Sequence, residues 1–165
     1  MKNHPVYILC AFMAGILTLG HLRADPLSPI AALKARLQKA SETRDLNGVK
    51  LCYDFDGVPP VLADIEMNVW QEYFNDNDKT SHWVFEKIVY MSLDQARADK
   101  TINQKAILSM TEPRNMNGTV YEPNLKVIGF MTVSFKQGSG EVGTVQPVGI
   151  AADGTAKLVG ARPAK

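Results

Sequence analysis

The chain reads as an α+β domain, with N-terminal helices packed on one face of a curved antiparallel sheet. Two observations carry that reading. From Ile30 to Phe74 apolar residues recur at three- and four-residue spacing, as one buried helix face requires. From Trp83 onward they give way to β-branched and aromatic runs separated by Gly-rich, Asn-Gly and Asp-Gly segments. Helices first and hairpins afterwards are the order of an α+β architecture, not of alternating crossover units. No internal repeat or low-complexity linker divides the chain.

Residues 1–24 are set apart from this domain. Met1-Lys2-Asn3-His4 is a short basic lead, Val6 to Leu19 is a charge-free run of 14 residues, and Gly20-His21-Leu22-Arg23-Ala24 ends it on a small residue. That layout predicts a secretory signal peptide cleaved after Ala24, so that the mature chain starts at Asp25. A membrane span needs about 20 apolar residues, which favours cleavage over a retained anchor. Cys10, inside the apolar run, does not suit a lipid-attachment cysteine. The expectation is an exported protein, periplasmic or extracellular, without stable membrane association.

Residues 25–165 then form a single domain. Ser28 is suited to cap a helix that opens on Pro29 and runs to about Thr43, with Ile30, Leu33, Leu37 and Ala40 as its stripe. Asp45 is suited to cap a second, short helix with Leu46, Val49 and Tyr53 on one face. Gly57-Val58-Pro59-Pro60 stops it. A third helix is predicted from Val61 to Phe74, with Leu62, Ile65, Val69 and Tyr73 packed against the strand Leu125–Gln137. Asn75 to Asp78 ends it as a polar turn. Trp83 to Met91 is the first strand, Leu93 to Asn103 a turn or short helix, Lys105 to Met110 a second short strand, and Thr111 to Thr119 a loop. Leu125 to Gln137 is the strongest strand, with Val127, Met131, Val133 and Phe135 on one face. Gly138-Ser139-Gly140 turns it back into Glu141–Ala151, and Asp153-Gly154 precedes Lys157-Leu158-Val159.

Composition removes much chemistry. Loss of residues 1–24 takes Lys2 and Arg23 from the 18 basic side chains, leaving 16 against 17 acidic ones and no basic run. This balance argues against nucleic acid and anionic membranes as partners. Cys10, His4 and His21 leave as well, so Cys52 and His82 are the one cysteine and one histidine that remain. An intrachain disulfide and a multi-Cys/His zinc site are impossible, and any triad would have to use His82. Neither a metal nor another cofactor is expected. Asp76 and Asp78 lack the Gly and distal Glu of a calcium loop. Asn117-Gly118-Thr119 is a glycosylation sequon if the source is eukaryotic.

Two short patterns resemble known motifs. Asp54-Phe55-Asp56-Gly57-Val58, after Val49 to Tyr53, resembles the aspartyl-nucleophile motif of haloacid-dehalogenase-like phosphatases. That chemistry needs a parallel sheet and a later acidic pair, neither of which the hairpin-rich second half predicts. Gly138-Ser139-Gly140-Glu141-Val142-Gly143 matches the dinucleotide-binding glycine spacing. Thr144-Val145-Gln146-Pro147 follows it instead of the helix that a pyrophosphate requires, so it reads as a hairpin.

A wider resemblance runs from Ala32 to Phe55, on Ala32-Leu33, Leu37, Ala40, Arg44-Asp45-Leu46-Asn47-Gly48-Val49 and Leu51-Cys52-Tyr53-Asp54. It is similar to the opening of the nuclear-transport-factor-2-like superfamily, with its polyketide-cyclase-like (SnoaL-like) and ketosteroid-isomerase-like members. The resemblance implies a strongly bent sheet wrapped into a cone with an apolar pocket. Two functional readings follow from it. The first is a binding module with a pocket for a small apolar molecule, or a sheet face for homodimerisation. Trp70, Tyr73, Phe74, Trp83, Phe85, Tyr90, Phe130 and Phe135 are its candidate lining. The second is a cavity enzyme of the isomerase, cyclase or dehydratase type, abstracting a proton next to a carbonyl with a desolvated carboxylate and a Tyr. Asp54 or Asp56 with Tyr53 or Tyr90 are the candidates for that chemistry.

Overall fold

A computed structural model describes residues 28–75 and 83–165, so the leader, Asp76, Asp78 and His82 lie outside the described residues. In chain order the elements are α1 (Pro29–Glu42), α2 (Leu46–Lys50), β1 (Tyr53–Asp54), α3 (Pro60–Phe74), β2 (Val84–Ser92), α4 (Leu93–Ala98) and α5 (Gln104–Thr111). They continue as β3 (Arg114–Met116), β4 (Thr119–Pro123), β5 (Val127–Gln137), β6 (Gly140–Ile150), β7 (Ala156–Val159) and β8 (Ala161–Pro163). The architecture is α+β.

The N-terminal helices start where their caps place them. Ser28 Oγ accepts the Ala31 N–H at 3.2 Å, with Pro29 at the first helical position, and Asp45 accepts the Gly48 N–H at 2.9 Å. Leu33, Leu37, Ala40 and Val49 are buried, as their spacing predicts. Tyr53 is buried too, but not on α2. The helix ends at Lys50, and Tyr53-Asp54 extend as β1 beside β7.

The main sheet has the order β1-β7-β6-β5-β2, antiparallel throughout except for β1 with β7. A smaller antiparallel sheet has the order β3-β4-β8. The main sheet is not strongly curled. Helices cover the core from both sides, correcting the expectation of helices on one face. The cluster under α1, α2 and α3 holds Leu33, Leu37, Trp70, Ile88, Met131, Val133, Phe135 and Leu158. A second cluster under α4 and α5 holds Ala96, Ile107, Val127, Phe130 and Val159.

Four further expectations are corrected. Lys105–Met110 is helix rather than strand, because Asn103 Oδ1 accepts the Lys105 and Ala106 N–H groups and helix-favouring residues follow. Val127 leaves the face of Met131, Val133 and Phe135, since the register between β5 and β6 slips between Val127 and Gly129. Arg114 to Pro123 is a hairpin rather than a loop. Asn117 and Gly118 both take positive φ (53° and 85°), the turn that matches strand twist. Finally, α3 packs through Trp70, Met67, Tyr73 and Phe74, leaving Ile65 54% exposed. Burying the large rings removes more apolar area than burying Ile65 would.

The two sheets meet at a corner held by one side chain. Asn124, between β4 and β5, donates from Nδ2 to Asp54 O (2.9 Å), Asp54 Oδ1 (3.1 Å) and Asp56 O (3.3 Å). Its Oδ1 accepts the Gly160 N–H at 2.9 Å, and its own N–H donates to Gly160 O at 3.0 Å. Gly160 lies between β7 and β8. A Cβ there would sit 2.7 Å from Val58 Cγ2, so the close approach needs glycine.

Asn124→Ala should therefore cost about 2–3 kcal/mol in denaturant melts, since the amide is buried and its partners would lose it together. Val133→Ala should cost about 2 kcal/mol and Ile65→Ala less than about 0.5 kcal/mol. A larger loss at Ile65 than at Val133 would contradict the packing of α3.

Candidate functional site

Six of the eight aromatic residues expected to line a pocket pack on one another. Phe135 is the hub. Tyr73 stacks on it with ring centroids 4.5 Å apart, and Trp70, Phe74 and Phe85 meet it at 6.2 to 6.4 Å, steeply inclined. Trp83 meets the edge of Tyr73 at 6.3 Å. Trp70 has no exposed surface, and its indole N–H donates to Tyr53 Oη at 2.9 Å. These rings are core. Tyr90 is partly buried, and its hydroxyl donates to Ile128 O at 3.3 Å. Phe130 points to the other side of the sheet.

The carboxylates singled out for catalysis serve the corner. Asp54 Oδ1 accepts the Asp56 N–H at 2.8 Å as well as the Asn124 amide, and Asp56 supplies a backbone acceptor. Tyr53 is stacked on Phe55 at 4.9 Å, and burial pushes its hydroxyl far above the ordinary range, with Glu66 adding to the shift. Burial likewise pushes up the Cys52 thiol. Among the described residues no three His, Cys, Asp or Glu side chains gather as metal ligands.

The sheet's other face builds a cleft. Val89, Thr132 and Val145 are paired across β2, β5 and β6, and Met91, Phe130 and Pro147 form the next row. Residues paired in this way share a face. Above them α4 and α5 contribute Ala96, Ala106, Ile107 and Met110, enclosing about 340 Å³ with an almost wholly apolar lining. That volume lies within the range of small-molecule sites. Ser92 holds α4 in place by a reciprocal cap with Gln95, and Gln104 Nε2 ties α5 back to Ala96 O at 3.1 Å. Val89 and Val145 remain nearly half exposed at the mouth.

A second, more polar cleft of about 180 Å³ borders the first, and Met110 and Val145 line both. It forms because β7 pairs with β6 only at Val148 to Ile150, which among the described residues leaves β6 from Gly140 to Pro147 without a strand partner on that side. Glu66 from α3, Arg114 from β3, Tyr121 and Glu122 from β4, and Glu112 surround that edge. Burial raises the Glu66 carboxyl above its usual range, and Arg114 offsets only part of the shift. The sequence signal was present: Glu66 lies one turn before Trp70 on the side of α3 that carries Met67. Of the expected lining residues, Phe130 is the one that reaches the apolar cleft.

Comparison of the chain with protein-family models, curated proteins and solved structures gives no significant match.

The Glu66 shift has a defined sign. A carboxyl whose folded pKa is raised binds more protons folded than unfolded, so its stability contribution is present at low pH and lost as pH rises from the ordinary carboxylate value through the raised one. Glu66→Gln should match or exceed the wild type in stability at neutral pH. Its advantage should shrink as pH falls through that window, as read from melts across pH. A variant less stable than wild type at neutral pH and equal to it in acid would reverse the assignment.

Proposed function

We propose that the protein is an exported binding module that holds a small apolar molecule between α4–α5 and the sheet face carrying Val89, Phe130 and Val145. The single observation behind this reading is the cleft itself. It is nearly free of polar atoms, large enough for a small ligand and open to solvent along one side. Export rests on the charge-free run from Val6 to Leu19 and its small-residue exit at Ala24. None of the helices among the described residues is long and apolar enough to cross a membrane.

One observation favours a second reading. A proton-abstracting enzyme needs a desolvated carboxyl at a cleft, and Glu66 has that character, with Tyr121 on the same lining. Asp54 and Asp56 are engaged elsewhere.

The binding reading is tested with N-phenyl-1-naphthylamine, a neutral dye that brightens in apolar sites. Titration should give saturable enhancement with a dissociation constant in the micromolar range, about −8 kcal/mol. Ala106→Trp, which fills the cleft from a good helical position, should weaken binding at least about tenfold while the protein stays folded. Equal binding by the filled variant would place the dye elsewhere and sink the reading.

A further inference from the structure

We propose that the molecule held in the apolar cleft is a cationic amphiphile, its chain against Phe130 and Ile107 and its ammonium group beside Glu66 and Glu112. This inference rests on the binding reading above and deepens it by naming the ligand class.

The first argument is continuity. Met110 and Val145 belong to both linings, so a chain extended along the apolar cleft meets the polar one at the open edge of β6. A purely apolar ligand would leave that second cleft unused, whereas an amphiphile spans both. The second argument is charge. The polar cleft is lined by Glu66, Glu112 and Glu122 against Arg114. Glu122 is engaged by Arg162, with N···O distances of 3.1 and 3.2 Å. Arg114 is then the one guanidinium beside Glu66 and Glu112, so the cleft carries an excess of negative charge once Glu66 is ionised. An anionic head would meet two carboxylates there. A neutral head can hydrogen-bond Glu66 but brings no charge to offset the carboxylate that burial disfavours. A cation compensates it where attraction is stronger than in bulk water.

The groups facing Glu66 give the pH dependence. Arg114 on β3 favours the carboxylate, while Tyr53 on β1 keeps its proton. Tyr121, Glu112 and Glu122 complete the surroundings. Burial leaves Glu66 protonated to higher pH than usual in the free protein, and a cation favours the ionised form. Binding should therefore release a proton, and affinity should rise with pH above the ordinary carboxylate range.

The test compares decylamine, decanol and decanoate on the exported full-length protein by calorimetry, below their micellar concentrations. Decylamine should bind at least about tenfold more tightly than decanol, with decanoate the weakest. Near the midpoint of the Glu66 titration, two buffers of different ionisation heat should report a released proton for decylamine alone. Glu66→Gln should bring decylamine down to the level that decanol reaches on the same variant. Glu112→Gln, at an exposed residue, should lose part of the preference and serves if Glu66→Gln does not fold. Decanol binding as tightly as decylamine, or decanoate binding tightest, would overturn the cationic assignment and leave the cleft reading standing. Failure of all three to bind would overturn both.

Discussion

The arrangement of this molecule depends on the reciprocal hydrogen bonds between Asn124 and Gly160. Besides the passage through α4 and α5, the chain crosses directly from one sheet to the other at Asn124 between β4 and β5 and at Gly160 between β7 and β8. Both crossings expose backbone groups that no ladder satisfies, and both are buried. Asn124 is the side chain that answers them, since an amide is donor and acceptor at once. It also takes in the carbonyls of the Asp54–Asp56 turn, so β1 is fixed at the same point. Without that corner β4 and β8 would lose their tie to the main sheet, and the polar cleft they help to enclose would lose support on that side.

The two faces of the main sheet have been put to different uses. Under α1 and α3 the rings of Trp70, Tyr73, Phe74, Phe85 and Phe135 fill space by packing on each other, which stabilises the fold and excludes a ligand. Under α4 and α5 the helices are short, of six and eight residues, and their side chains are smaller. Alanines 96 and 106 stand where larger residues would close the gap. A cavity persists there because small side chains on short helices cannot reach the sheet across their whole length.

Much of the fold was legible in the sequence, and the failures have physical reasons. The caps at Ser28 and Asp45, the long hairpin of β5 and β6 and the α+β order are local signals, and they were read correctly. The segment from Lys105 to Met110 is a short apolar run that suits either period, and the Asn103 cap decides for helix. The face of Val127 depends on a bulge that no local pattern announces. The candidate site was least legible. Aromatic residues attracted attention as a lining, yet large rings are what a core buries first. Glu66 shares a side of α3 with Trp70, but tertiary packing beside the edge of β6 is what makes it a cleft residue, while Asn124 engages Asp54 and Asp56.

The free edge of β6 has a consequence for how the protein behaves in company. An unpaired strand edge is ordinarily an invitation for another chain to add a strand. Here Pro147 sits in the unpaired stretch and has no N–H to offer a newcomer. Arg114, Tyr121 and Glu122 crowd the same margin. At Val145–Pro147 the edge is therefore a poor template for a neighbouring strand, so the seam beside the polar cleft can stay open without inviting another chain there.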